Sequence, residues 1–283
     1  MDDFSDIIDD LIDHIRVLKE LGIRTAEMDP QIVRDLEKVY KPLKKPGRPK
    51  VQWQRKKVEA AQGVKKAEGE ALSRTFLQNS KPLTPAERTE AMQRLRLQIS
   101  VCSACRLCAN RRIPVTGQGN LNSPDVMFTG AAPSREDAES GEVFSGKTGE
   151  LLTKMINAMG YKREDVFLTN TCKCPTSNPD SQPPAMDEMK KCSRFLEEEI
   201  KIIRPKTIVV MGEHANRGLF HNQRSALQPQ GVWTQFHGIP VMPTFHPAYI
   251  LRFSNDAEGQ QKELKRSAWN ALQAVMHIPK KNQ

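Results

Sequence analysis

Six cysteines in two groups place the strongest restriction on how this 283-residue chain can fold. They are, in chain order, Cys102, Cys105, Cys108, Cys172, Cys174 and Cys192. A Cys-x2-Cys pair combined with a distant Cys-x17-Cys pair is a spacing that supplies four thiolates to one metal centre. Closing such a centre ties remote segments of a chain together. The spacing therefore predicts a fold in which the two groups of cysteines meet.

The expected compartment bears on what these cysteines do. The chain has no apolar run of about eighteen residues that would span a membrane. It begins Met1-Asp2-Asp3, which is acidic where a signal peptide is basic. These features predict a cytoplasmic protein that does not enter a membrane. Because that compartment is reducing, disulfide bonds are the weaker interpretation of the cysteines and metal ligation is the stronger one.

The net charge of +9 is distributed unevenly. Residues 1–40 hold 11 Asp and Glu against 5 Lys and Arg, whereas residues 41–66 hold 10 Lys and Arg against one Glu. A segment this basic attracts phosphate backbones, although a solvated linker has the same composition. Within it, Gly47-Arg48-Pro49-Lys50 resembles an AT-hook core that enters the minor groove, with Pro46 where that motif has Arg. Arg48 and Lys50 are therefore candidate DNA contacts, with a plain basic linker as the alternative.

Three regions follow from the patterns along the chain. Residues 1–40 form an acidic segment predicted to be helical, because apolar residues between Phe4 and Leu21 repeat at intervals of three and four. That apolar stripe (residues 4–21) predicts self-association or a protein partner. Residues 41–83 form a basic linker rich in Lys and Pro, and residues 84–279 form the main domain.

Strands and helices alternate in the main domain. The predicted strands are 125–129, 166–170, 207–211 and 239–244, and the predicted longer helices are 85–100, 149–159, 184–203 and 256–276. This order predicts a three-layer α/β/α fold with a central, mostly parallel four-stranded sheet. Ligands of such sheets bind beyond the carboxyl ends of the strands.

Three loops after predicted strands carry the candidate site residues. The first runs from Gly130 to Phe144, the second contains Asn170, and the third runs from Thr244 through His246 to Arg252. An aromatic ring, an amide and a histidine together suit recognition of a flat heterocycle. The ring of Phe144 would stack on it, and Asn170 would read its edge with one donor and one acceptor.

From about Gln98 to Arg252 the chain resembles the family-4, iron–sulfur uracil-DNA glycosylases. The resemblance rests on Cys-x2-Cys-Arg-Leu-Cys followed by Arg, a G-x-A-P loop ending in Phe-x-Gly, Thr-Asn before Lys-Cys, and His-Pro-Ala before Leu-Arg. It implies a [4Fe–4S] cluster held by Cys102, Cys105, Cys174 and Cys192, with Cys108 and Cys172 unused. Four thiolates alone do not distinguish iron–sulfur from zinc, so zinc is the alternative occupant.

The resemblance also implies cleavage of the N-glycosidic bond of deoxyuridine in DNA, the first step of base-excision repair. His246 would donate to O2 of the departing uracil, and Asn170 and Phe144 would hold the ring together with the loop at Gly130 and Ala131. Uracil must leave the duplex to reach them. The stretch from Tyr249 to Arg252 would enter the minor groove, with Arg252 on a phosphate.

Three positions depart from the family pattern. Ala131 replaces the acid that usually follows the first Gly of the loop, and Ser134 replaces a Gly. By ungapped count, Asp137 falls where members have Glu, so it is the candidate for orienting the attacking water. The alternatives are a weak or inactive iron–sulfur DNA-binding relative and a zinc-stapled nucleic-acid-binding protein.

Overall fold

A computed structural model describes residues 82–111, 113–179, 182–221, 230–253 and 259–277. Three predictions lie outside these residues: the acidic helical segment with its apolar stripe, most of the basic linker, and the DNA contacts assigned to Arg48 and Lys50. The main domain is described over most of its predicted length.

The first helix, α1 (Pro85–Ser100), confirms the helix predicted at 85–100. A capping box begins it: the amide of Glu87 donates to Thr84 Oγ1 at 3.3 Å, and the amide of Thr84 donates to Glu87 Oε2 at 2.7 Å. These contacts satisfy amides that have no partner inside the helix. The helix buries Met92 and Ile99 and ends directly before Cys102.

The sheet has six strands. They are β1 (Gln118–Gly119), β2 (Val126–Gly130), β3 (Phe167–Asn170), β4 (Thr207–Met211), β5 (Thr234–Phe236) and β6 (Ile239–Thr244). Their order is β1-β3-β2-β4-β6-β5, in which the inner four are parallel and both edge strands are antiparallel. The four predicted strands are confirmed as this parallel core. The predicted count of four is wrong, because the two edge strands are too short to show an alternating pattern.

The inner strands β2, β3 and β4 are buried along their whole length, as expected for parallel strands covered on both faces. Successive residues of β4 are buried on opposite faces of the sheet. Ile208 lies in the apolar cluster that includes α1, and Val209 lies in the apolar cluster on the other face. The predicted three-layer α/β/α arrangement is therefore confirmed.

The remaining helices are α2 (Arg135–Ser140), α3 (Gly146–Ala158), α4 (Met186–Ile203), α5 (Glu213–Leu219), α6 (Pro247–Arg252) and α7 (Gln260–Met276). Short 3-10 turns cover Arg106–Asn110 and Arg163–Asp165. Two stretches predicted as loops contain α2 and α6, each of six residues. Both are shorter than two turns, so they show no helical periodicity. Among the described residues, the structure contains no helix with the length and apolar character needed to cross a membrane.

Candidate active site

The carboxyl ends of the parallel strands bring the three predicted loops together. Gly130, the last residue of β2, is paired with Asn170, the last residue of β3. On the other side of the sheet core, Met211 at the end of β4 is paired with Thr244 at the end of β6. The register thus aligns the ends of all four inner strands, and the loops leave from one edge.

Asn170 is the most unusual polar residue at this edge. Its side chain is 1% exposed, yet neither Nδ2 nor Oδ1 has a hydrogen-bond partner among the described residues. Buried amides are nearly always paired, because an unpaired buried polar atom is costly. An amide with one free donor and one free acceptor matches a ligand edge that offers an acceptor beside a donor.

The Gly130 backbone lies directly against this amide. A Cβ atom at position 130 would lie 2.3 Å from Asn170 Oδ1 and 3.0 Å from Phe144 Cζ. Both distances are shorter than van der Waals contact, so only glycine lets the amide and the ring approach so closely. The neighbouring Ala131 holds the second loop through its carbonyl, which accepts a hydrogen bond from the Cys172 amide at 2.8 Å.

Phe144 is held in a left-handed backbone conformation, with φ of 53° and 4% of its side chain exposed. Arg163 fixes this turn: its Nη2 donates to the carbonyl of Val143 at 2.5 Å and to that of Phe144 at 3.1 Å. A non-glycine residue in this region carries strain that the surrounding contacts must offset. Sequence reasoning missed Arg163, and nothing in the sequence pattern around it indicates this contact.

His246 is the N-cap of α6, and its Nδ1 accepts a hydrogen bond from the amide of Ala248 at 3.2 Å. Because Nδ1 is an acceptor, the proton of the neutral ring lies on Nε2. Burial, and to a lesser extent the nearby charge of Arg252, lowers the pKa of His246 to about 4, against an opposing effect from Asp137. The ring is therefore a neutral donor at pH 7, 5.9 Å from the Phe144 ring between centroids.

Asp137 lies in the same site and is 3% exposed. Its Oδ1 accepts from both the amide and the hydroxyl of Ser145, each at 2.7 Å, and its Oδ2 accepts from the amide of Ser134 at 3.1 Å. A carboxylate has about four lone-pair positions. One position on Oδ2 is thus left for a further donor.

The end of the third loop forms an aromatic surface. Tyr249 is 39% exposed, stacks on Phe245 at 6.0 Å between centroids with 18° between planes, and meets Phe253 edge-on at 5.3 Å. The exposed side chain of Arg252 lies on the same helix. Sequence reasoning named Tyr249 and Arg252 but missed the flanking rings, although their spacing of four residues is a helical signal.

The cysteines from both groups lie in one region, as predicted. Cys172, Cys174 and Cys192 are buried in one core cluster, and Cys102 and Cys105 pack against that cluster. The neighbouring thiol of Cys172 is the main reason why the pKa of Cys192 is lowered. Cys172, which was expected to be unused, therefore lies beside a candidate ligand.

Two arginines approach this region. Arg111 donates to Cys174 Sγ at 3.6 Å and to the Cys102 carbonyl at 2.6 Å, and Arg194 donates to Cys102 Sγ at 3.5 Å. Such cationic donors suit sulfur atoms that carry negative charge. Over the described ranges, no three Cys, His, Asp or Glu side chains stand in the arrangement of a formed metal site. The donor chemistry of these cysteines fits an all-thiolate centre.

Comparison with known proteins identifies the class to which this fold and site belong. The family model described as "Uracil DNA glycosylase superfamily" matches residues 116–273, which is more than half of the chain. The chain belongs to the uracil-DNA glycosylase superfamily.

Its curated relatives narrow the resemblance further. A "Type-4 uracil-DNA glycosylase" of Thermotoga maritima is 32% identical over 202 residues, covering 69% of this chain and 97% of the relative. One of Saccharolobus solfataricus is 36% identical over 163 residues, covering 54% and 74%. A "Type-5 uracil-DNA glycosylase" of Pyrobaculum aerophilum is 28% identical over 152 residues, covering 48% and 66%. The predicted resemblance to the family-4 enzymes is confirmed.

Proposed function

We propose that this protein is a uracil-DNA glycosylase, which hydrolyses the N-glycosidic bond of deoxyuridine in DNA and leaves an abasic site. The observation that carries the proposal is the buried, unpaired amide of Asn170 between Gly130 and the Phe144 ring. The names of the relatives support the same activity.

Asn170 selects the base in this proposal. Uracil presents an acceptor at O4 beside a donor at N3–H, which complements Nδ2 and Oδ1 of the amide. Cytosine presents the opposite pattern along the same edge and would pair only if the Asn170 amide turned over. An amide held in the orientation that suits uracil rejects such an analogue.

His246 stabilises the leaving group. Uracil departs with negative charge developing at O2, and the neutral ring donates its Nε2–H to that oxygen. A donor already aligned by the Ala248 amide needs no reorganisation as the charge forms. The pKa of about 4 keeps the proton on Nε2 without producing a cation.

Asp137 acts on the sugar side of the bond. Its negative charge favours the cationic sugar of the transition state, and the open position on Oδ2 orients the attacking water. Ala131 supplies no carboxylate, so Asp137 is the acid that orients the attacking water. Ser134 supports it, because its hydroxyl accepts from the Asp137 amide at 3.1 Å and its own amide donates to the Asp137 carboxylate.

Replacing Asp137 with Asn tests this assignment. The amide keeps the size of the side chain but removes the charge and presents a donor toward Ser134 or Ser145. We expect kcat to fall by about tenfold to a hundredfold with little change in DNA affinity, because a displaced catalytic group has effects of that size. Single-turnover excision measures the rate. Ser140→Ala, on the same short helix, is the control, and equal losses in the two variants would contradict a role for the carboxylate.

DNA contact is proposed for Tyr249 and Arg252, with uracil flipped out of the duplex. Tyr249 presents an exposed ring that can fill the gap, and Arg252 presents a cation for a phosphate. Arg48 and Lys50 would add phosphate contacts from the basic linker.

We also propose that Cys102, Cys105, Cys174 and Cys192 hold a [4Fe–4S] cluster. When bound, the cluster supplies a rigid tie between segments that are distant in the chain, and no catalytic step passes through it. The contacts of Arg111 and Arg194 with two of these sulfurs support this donor set. Zinc would suit the same thiolates.

The colour of the purified protein distinguishes the two occupants. We expect broad visible absorption together with about four iron and about four sulfide ions per protein molecule. Cys174→Ser should abolish the absorption, whereas Cys108→Ser should leave it unchanged. Colourless protein that contains zinc would identify the alternative centre.

The activity itself is tested on a uracil-containing oligonucleotide followed by alkaline cleavage of abasic sites. We expect product from uracil and much less from the matching cytosine substrate. If no product forms at stoichiometric enzyme, the inactive DNA-binding alternative replaces the proposal.

The pH dependence of excision should follow the lowered pKa of His246. The neutral ring is the active form, so kcat/KM should stay level as pH falls through the usual histidine value of 6.5 and should drop only near pH 4. Acid should also destabilise the fold between pH 6.5 and about pH 4, because in that range His246 is protonated in the unfolded chain but still neutral in the folded protein. A fall in kcat/KM with a midpoint near pH 6.5 would contradict the assignment.

A further inference from the structure

A buried lysine lies between the cysteines and the amide of Asn170. Lys173 is 1% exposed and stands between Cys172 and Cys174 in the chain. Its Nζ donates to Thr169 Oγ1 at 2.7 Å, to the Asn170 carbonyl at 2.6 Å and to a carboxylate of α4 at 2.7 Å. The ammonium group therefore uses all three of its donors inside the protein.

The carboxylate is that of Glu199, which is 0% exposed. It lies on α4 seven residues after Cys192, two turns along the same helix. Besides Lys173, Oε2 accepts from the hydroxyl of Thr169 at 2.8 Å, and Oε1 accepts from the Gly117 amide at 3.0 Å. Both oxygens are thus fixed by donors from other segments.

The backbone of Lys173 ties it to the cysteine region. It is bonded in the chain to Cys172 and Cys174, both of which lie in the buried cluster with Cys192, and its carbonyl accepts from the amide of Val115 at 2.8 Å. One residue therefore belongs to the cysteine region through its backbone and contacts the candidate base-reading loop through its side chain. A rigid connection of this kind fixes the distance between the two.

Burying an ion pair so completely does not by itself stabilise a protein. The cost of removing both charges from water can exceed their attraction, and a well-packed apolar pair often serves stability equally well. A buried pair that satisfies every donor and acceptor instead specifies one arrangement of the groups around it. Here those groups include the Asn170 carbonyl, next to the unpaired side-chain amide.

We propose that Lys173 and Glu199 are positioning residues, which transmit the placement of the cysteine centre to Asn170 and so determine how tightly uracil is bound. This inference rests on the proposed function. Neither side chain touches the base, and each acts through the backbone of Asn170 or through Thr169.

Single substitutions would leave one buried charge without its partner and would destabilise the fold. The informative variant is therefore the double substitution Lys173→Met with Glu199→Leu, which removes both charges and keeps similar volumes. We expect it to fold and to retain the visible absorption of the cysteine centre. We expect its affinity for free uracil and its kcat/KM for excision to fall by about tenfold to a hundredfold, as for a misplaced contact. Affinity for uracil-free DNA should not change.

The matched control is Lys201→Met with Glu198→Leu, a more exposed ion pair of 2.6 Å on the same helix, which should leave all of these quantities unchanged. Calorimetry measures uracil affinity, and spectroscopy measures the centre. If the buried double variant bound and excised uracil like the wild type, the inference would be overturned. If the buried double variant failed to fold, the inference would also be overturned, because the ion pair would then serve stability alone. If the unaltered protein excised no uracil, the proposed function would fail instead.

Discussion

His246→Ala should lower kcat for uracil excision by about a hundredfold to a thousandfold, the range found when one donor to a developing oxyanion is removed. DNA affinity should change little, because the Nε2–H contact strengthens only as charge forms on the leaving base. Single-turnover kinetics on a uracil oligonucleotide measures the first quantity, and titration of an uncleavable duplex measures the second.

His246→Asn separates the two tasks of this residue. The oxygen of Asn can replace Nδ1 as the acceptor for the Ala248 amide, so α6 keeps its cap. It has no donor at the position of Nε2. We expect the Asn variant to lose nearly as much activity as the Ala variant while melting close to the wild-type temperature. If Asn restored excision, the helix cap and not the donor would be the important contribution.

Gly130→Ala should lower excision by about a hundredfold, because the added methyl group displaces the amide of Asn170 or the ring of Phe144. A shift of about 1 Å in a group that orients the substrate has effects of that size. The loss should appear in the affinity for free uracil as well as in kcat/KM.

Gly141→Ala is the control for the glycine change. Gly141 has φ of 76°, so alanine is strained there, but no described residue other than its chain neighbours lies within 4 Å of its added Cβ. This variant should lose stability and keep excision. If the two alanine variants lost equal activity, backbone strain would explain both effects and the close packing at Gly130 would not matter.

The sequence was most informative where long elements carry strong signals. The strands predicted at 207–211 and 239–244 match β4 and β6 residue for residue, because each is a short, largely apolar run next to a glycine. The capping box at Thr84 located the start of α1. The loops after the strands indicated Phe144 and Asn170, the family resemblance gave His246 and Asp137 their roles, and the structure brings all four to one edge.

The features that the sequence did not predict have identifiable physical causes. The helix α2 begins with Ser134 and Asp137, a capping pattern that was present in the sequence, but the neighbouring Gly and Pro residues favoured a loop. The contacts of Arg163 with two carbonyls and of Lys173 with Glu199 join residues that are at least 19 positions apart in the chain. No periodicity reports such contacts.

Ser134 is relevant to the alternative that this protein is an inactive DNA-binding relative of the glycosylases. Taken from the sequence, its replacement of a family Gly favours a protein without turnover. In the structure its hydroxyl accepts from the Asp137 amide, so the change helps to place the carboxylate that we propose acts in place of an acid at position 131. The departures at Ala131 and Ser134 are therefore consistent with the proposed activity.

The two short antiparallel edge strands also limit how two copies of the molecule can associate. β1 has two residues and β5 has three, so each edge offers a neighbouring chain very few backbone amides to pair with. Edges this short resist the sheet-to-sheet growth that leads to fibres. Association through a sheet edge is therefore not expected, and the apolar stripe at residues 4–21 stays a predicted contact for a second copy or for another protein.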